Sequence, residues 1–322
     1  MSLTGPERDT FLLIVVIAVC IVIIAGVVLV IFLLPMQDVN IRERRNVEAV
    51  GEVDRLSLDL EGDVVSVAVS FDELDDHLLR MEVTARGGVN VLTDPGEALD
   101  LEFDYRLEDG VAHVTSTVHG STGGWSFSWA DFDCVVVVDD ELATGLDITT
   151  STGDVGVEVP SGVVMDAMSI MSTTGDISIE LGPEAVLAGD VSLRATTGEV
   201  SLTMSELELR GPVTVDLDST TGGIHWTLIQ TVRMGHDMQV SLSATTGEVD
   251  LLMDIHGNGA RIESSTTTGE IKADRWIGFL GELQDMRSEN YPTPGDVEVD
   301  IGTSTGDITI DAGWTPTPLT SA

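Results

Sequence analysis

Apolar and polar residues alternate along most of the chain, as in Val53-Asp54-Arg55-Leu56-Ser57-Leu58-Asp59-Leu60 and Val64-Val65-Ser66-Val67-Ala68-Val69. A period of two predicts strands with one buried face. The exception is Phe11 to Leu34, 24 residues without a charge. As a helix rising about 1.5 Å per residue, this run spans a hydrocarbon core of ~30 Å, which predicts a transmembrane helix over 11–34. It is too long for the apolar region of a cleaved signal peptide, and no small-residue cleavage site follows it before Pro35. Val19 before Cys20 does not suit a lipoprotein signal. Residues 1–10 then form an N-terminal tail and 35–46 a juxtamembrane linker. From 47 to 145, turn signals at Gly87-Gly88, Asp94-Pro95-Gly96 and Asp109-Gly110 separate short strands. This region is expected to be an irregular β-rich lead-in that caps the segment after it.

From residue 146 a motif, first seen as Ser151-Thr152-Gly153-Asp154-Val155, recurs with its glycine at Gly175, Gly198, Gly222, Gly247, Gly269 and Gly306. The glycine-to-glycine steps are 22, 23, 24, 25, 22 and 37 residues, a period that announces a solenoid. Threonine always precedes the glycine, and Ser or Thr stands before that. The residue two after it is always Val or Ile. Apolar residues occupy odd offsets before the glycine (Leu146, Ile148) and even offsets after it (Val155, Val157). A strand cannot change parity without a bend, so the motif is a corner between an entering and a leaving strand. Glycine supplies a backbone conformation closed to other residues, and the hydroxyls and carboxylate can cap N–H groups. The fold class expected is therefore all-β, a β-solenoid of stacked coils of about 22–25 residues over 146–312. A variable arc such as 160–166 returns the chain to the next level. Ser121-Thr122-Gly123-Gly124-Trp125 is motif-like, but its upstream strand is out of phase with the later copies.

The 37-residue step contains an insertion, 275–296, with Trp276, Ile277, Phe279, Leu280 and Leu283 spaced like one face of a short helix. Two readings fit it, a lid packed on the solenoid wall or a partner-binding knob. Residues 313–322, with Pro316 and Pro318, read as an extended tail.

Leucine-rich repeats share the period, but their helical segment and asparagine ladder are missing. The seven [Ser/Thr]-Thr-Gly-[Asp/Glu]-[Val/Ile] units, with Gly223 in the acidic place once, resemble the "putative adhesin" β-solenoid domain, a family of bacterial and archaeal surface or envelope proteins. The resemblance covers roughly residues 110 to 312. It implies the architecture, carries no catalytic residue, and points loosely to adhesion at the cell surface.

Charge narrows the function further. Of 322 residues 55 are acidic and 15 basic, with Lys272 the single lysine, giving a net charge of -40. Nucleic acid is excluded as a partner, because binding phosphate needs a basic surface. With 43% apolar residues in strict alternation, the charge does not signify disorder. It fits adaptation to high salt, where a Debye length near ~3 Å at 1 M removes most self-repulsion. Sidedness is pulled two ways. Arg42, Arg44 and Arg45 after the apolar run lean towards a cytoplasmic domain, whereas the family resemblance leans towards an extracellular one.

Cys20 and Cys134 cannot plausibly pair, and no CxxC site exists. The six histidines, His77, His113, His119, His225, His236 and His256, show no HExxH or other metal spacing. No nucleophile elbow appears, and the turn His256-Gly257-Asn258-Gly259 lacks the end of a phosphate loop. The one column with candidate chemistry is acidic: Asp154, Asp176, Glu199, Glu248, Glu270 and Asp307 follow their motif glycines. Stacked at strand spacing, adjacent carboxylates repel by about 0.9 kcal/mol in unscreened water. Either solvent and salt screen them, or a ladder of bound cations does.

The sequence thus predicts a single-pass membrane protein, held in lipid through 11–34, without catalysis or cofactor. Its β-solenoid would bind an unidentified protein or glycan as an envelope adhesion or surface-scaffold module. The alternative is a membrane-tethered cytoplasmic scaffold that self-associates through solenoid ends. A β-helix enzyme acting on polysaccharide is a third reading, weakened by the few basic residues available for substrate carboxylates.

Overall fold

The computed structural model describes residues 36–48, 52–90, 99–120 and 129–316. The transmembrane helix expected over 11–34, Cys20 and the motif-like stretch 121–125 lie outside them. Among the described residues no helix is long and apolar enough to cross a membrane, and every regular element is a strand.

The first part of the chain supplies β1 (Met36–Glu48), β2 (Arg55–Val64), β3 (Ser66–Asp72), β4 (His77–Asn90), β5 (Leu99–Glu108), β6 (Val111–Gly120) and β7 (Trp129–Asp139). The repeats follow as β8 (Ala143–Thr152) and β9 (Val155–Val159), then β10 (Val164–Thr174) and β11 (Ile177–Leu181). Next come β12 (Val186–Leu187), β13 (Val191–Thr197), β14 (Val200–Ser205), β15 (Glu208–Leu209), β16 (Val213–Thr221) and β17 (Ile224–Gln230). The chain continues with β18 (Met238–Thr246), β19 (Val249–His256), β20 (Ala260–Thr268) and β21 (Ile271–Ile277). It closes with β22 (Phe279–Glu282), β23 (Asp285–Ser288), β24 (Val297–Thr305) and β25 (Ile308–Thr315).

Each coil gives its entering strand to one sheet and its leaving strand to the other. The leaving strands form an 11-stranded sheet, β1-β4-β7-β3-β9-β11-β14-β17-β19-β25-β21. The entering strands form a sheet with the path β22-β23-β20-β24-β18-β16-β13-β10-β8-β2-β6-β5. Short β12 and β15 pair with each other and begin a third side. Between the sheets runs one continuous core in which the predicted inward positions Ile148, Val157, Ile179, Leu202, Trp226 and Leu251 are buried, while Ile271 and Ala273 of the terminal coil are half-buried. The change of parity across the motif is therefore present, and the glycines at the corners carry φ between 138° and 157°.

Four expectations need correction. First, the parallel stack does not begin at residue 146. Coil β2/β3 pairs in register with β8 and β9, and coil β6/β7 lies outside it. Only β1, β4 and β5 form the irregular cap, since they run antiparallel to their neighbours. Second, residues 36–46 are not a linker. They belong to β1, which is zipped along β4 with Val47 buried and Arg42 and Arg44 both bonded to Glu82 at 2.6 and 3.0 Å.

Third, the insertion contains no helix. Gly278 and Gly281 adopt φ of 79° and 114°, which a right-handed helix does not accommodate, and the segment turns back as the hairpin β22–β23. Phe279 and Met286 are buried while β23 runs antiparallel to β20, so half of the hairpin roofs the core as a lid would. Fourth, the coils do not all stack in chain order. β24/β25 enters between β18/β19 and β20/β21, so the last coil in sequence is the penultimate one in space. The level is passed over in the 22-residue step, at the turn 257–259 between β19 and β20, and the 37-residue step brings the chain back to fill it. The stack also extends past residue 312: Trp314 is buried, and its indole N–H donates to the Asn258 carbonyl at 2.8 Å.

Candidate functional site

The corner is built from backbone before any side chain acts. Six of the seven glycine N–H groups donate to the carbonyl of the threonine one coil on in space, as from Gly153 to Thr174 and from Gly198 to Thr221, both at 2.9 Å. The stacking is so close that a Cβ on Gly222 would lie 1.9 Å from the Gly198 oxygen. Glycine is required here twice, by its φ and by the carbonyl of the coil beneath.

A column that the sequence reading passed over completes the corner. Three residues before each glycine stand Thr150, Ser172, Ala195, Ser219, Ala244, Thr266 and Thr303. The hydroxyl members point inwards and donate to carbonyls of the adjacent corner: Ser172 to Gly153 at 3.3 Å, Ser219 to Gly198 at 3.1 Å, Thr266 to Gly306 at 3.2 Å. The signal was legible, since only small residues occupy that offset. By contrast, the Ser/Thr pair directly before each glycine is exposed in all seven copies. Those two rows, repeating every ~4.8 Å, face solvent along one edge of the stack.

The acidic column lies beside them in the spatial order Asp154, Asp176, Glu199, Glu248, Asp307, Glu270, with Gly223 between Glu199 and Glu248. Three aspartates have definite structural work. Asp154 accepts from the Asp176 N–H at 2.9 Å, Asp176 from the Glu199 N–H at 2.8 Å, and Asp307 from the Glu270 N–H at 2.9 Å. The longer glutamates reach side chains instead. Glu199 lies 3.5 Å from His225, and Glu248 accepts from Thr309 at 3.5 Å. Lys272 binds Glu270 at 3.2 Å and Asp307 at 3.1 Å. The Glu270 N–H, then Lys272, hold the Asp307 carboxyl below the usual carboxylate range. Among the described residues, no group of three or more His, Cys, Asp or Glu side chains is gathered as a metal would need.

This arrangement separates two roles within one column. Asp176→Ala is expected to cost about 1 kcal/mol by orphaning an N–H, and Glu199→Ala to stay within about 0.5 kcal/mol. Equal losses in thermal melts would contradict the assignment. Calcium added at fixed ionic strength is expected to leave the transition unmoved; a rise that vanishes in Asp176→Ala would establish a cation column instead.

The remaining polar groups are structural or superficial. His225, 40% exposed, sits 2.9 Å from Asp250, and His119 is raised above the usual histidine range by its bond to Asp63. Cys134 is fully buried, which pushes its thiol up to about 12. A lateral cleft of about 600 Å³ forms where the loop after β23 meets the arc before β18, lined by Pro212, His236, Asp237, Tyr291, Pro292 and Glu298. Tyr291 donates to Glu298 there, while Asp237 accepts from the N–H groups of Gly295 and Asp296. Asn258, unforeseen in its turn, is wholly buried and joins three arcs. Its side chain accepts from Met234 N–H at 2.9 Å and donates to the carbonyls of Met234 and Gly295.

The family model described as Toastrack DUF4097 matches residues 115–311. No curated protein matches the chain. Among solved structures, a "putative cell adhesion protein" from Clostridium sporogenes ATCC 15579 is 13% identical, with 85% of this chain and 99% of that chain covered and a TM-score of 0.46. A "putative adhesin" from Bacteroides fragilis NCTC 9343 is 10% identical, covering 84% and 97%, with a TM-score of 0.40. Another from Parabacteroides distasonis ATCC 8503 is 12% identical, covering 84% and 97%, with a TM-score of 0.33.

Proposed function

We propose that this chain, which belongs to the Toastrack DUF4097 family, works without catalysis as a membrane-anchored module for envelope adhesion or surface scaffolding. The observation that carries the reading is the division of labour at the corner. The glycines, the inward hydroxyls and the aspartates of the motif are engaged in holding coil to coil. The side chains left free are the exposed rows of Ser and Thr and the acidic outer walls, a polar surface suited to a protein or glycan partner. The uncharged run 11–34 supplies the anchor in this account. The net charge of -40 suits a solenoid working in high salt.

A cytoplasmic scaffold is the competing reading, favoured by Arg42, Arg44 and Arg45 so soon after the apolar run. Protease accessibility on intact cells separates the two. Digestion of the solenoid before lysis is the expected result. Protection until lysis would remove the adhesion reading and favour the cytoplasmic one.

A further inference from the structure

The two ends of the stack are finished differently. At the C-terminal end the hairpin β22–β23 covers β20, burying Ile262 together with the hairpin's own Met286 and Ser288. Nothing comparable covers β21, which among the described residues pairs on one side only. Its inward residues Ile271 and Ala273 remain half-buried, where the same positions one coil earlier, Ile308 and Ile310, are fully enclosed. Beside them Trp276, Ile277 and Leu280 are 44%, 61% and 60% exposed. A free strand edge next to exposed apolar side chains is a template for strand addition.

We propose that a second copy of this chain occupies that edge, β21 pairing antiparallel with its own counterpart about a twofold axis at Ala273. Charge selects the occupant. In that register Lys272 of each copy stands opposite Asp274 of the other, so the strand is complementary to itself. Against an unrelated strand with no acidic residue at that place, Lys272 acts as a deterrent. Charge also selects the place. Residues 143–259 carry 3 basic and 17 acidic side chains, a wall that repels its like, whereas residues 260–288 carry 4 and 5. The opposite end cannot serve equally, because its edge strand β1 starts directly after the apolar run expected to lie in lipid. An isologous contact of this kind closes on itself as a dimer and does not propagate. It is independent of whether the outer wall binds a partner.

The test uses the full chain in detergent, with Cys20→Ser, leaving Cys134 fully buried. Under mild oxidation Ala273→Cys is expected to give a covalent dimer, and Leu252→Cys on the outer wall none. Adding Asp274→Lys to Ala273→Cys should lower the dimer yield about fivefold, by facing lysine with lysine. Adding Lys272→Asp as well should restore it. The proposal is overturned if Ala273→Cys stays monomeric, or if Asp274→Lys leaves the yield unchanged. It is equally overturned if the dimer appears only after residues 317–322 are removed, because the chain's own tail would then be the occupant. Circular dichroism on each variant identifies any that fail to fold, and Asp274→Lys alone suffices where Lys272→Asp does not.

Discussion

A Gly222→Ala variant is expected to lose about 4 kcal/mol or more, enough to lower the melting temperature of a domain this size by at least about 8 °C. Two effects combine. Gly222 has φ of 145°, in a region that alanine enters only under strain, and the new methyl would meet the Gly198 carbonyl at 1.9 Å. That oxygen belongs to backbone and also accepts from Ser219, so neither coil can yield without breaking the corner ladder. Gly302→Ala is the control. It sits in β24 with nothing within 4 Å of a built Cβ, and a change within about 0.5 kcal/mol is expected. Similar melting of the two variants would mean that the corners are not stacked as described.

Asn258→Ala should be nearly as damaging, at about 3 kcal/mol, because it leaves the Met234 N–H and the carbonyls of Met234 and Gly295 without their partner at a buried position. These groups come from the arc before β18, the turn before β20 and the loop before β24, so the side chain ties the displaced last coil to its neighbours. Asn258→Asp discriminates hydrogen bonding from packing. The carboxylate keeps an acceptor for Met234 but loses both donations and buries a charge, so this variant should be weaker than Asn258→Ala at neutral pH and recover partly in acid, where the protonated form donates once. Melting temperatures for Asn258→Asp that do not depend on pH relative to the parent would refute this role.

What could be read from the sequence was what each coil needs for itself. The glycine, its β-branched follower and the switch of parity are local demands of a corner, and they placed Ile148, Val157, Leu202 and their equivalents in the core. What was lost was the identity of neighbours. Every coil presents the same apolar columns, so the pattern around Gly269 is satisfied equally by Gly247 or Gly306 beneath it, and the structure places Gly306 there. The same degeneracy hid coil β2/β3, whose corner, Val64-Val65, has no glycine. The hairpin was misread for a different reason. Trp276, Ile277, Phe279, Leu280 and Leu283 fit a helical face, but Gly278 and Gly281 stand between them, and their left-handed backbone was the overlooked signal. At the site, the acidic column stood out, and its meaning required the structure. Aspartate is short enough to cap the next corner and glutamate is not.

The exchanged order of the last two coils is the sharpest consequence of this account, and paired cysteines test it directly. Ser243 and Gly302 face each other on neighbouring strands, as do Gly302 and Ser265. A disulfide fits strands ~4.8 Å apart but not strands two places apart. Ser243→Cys with Gly302→Cys should therefore oxidise to an intramolecular disulfide, and Ser243→Cys with Ser265→Cys should not. The reverse outcome would show that the coils stack in chain order and would contradict the architecture on which the rest depends.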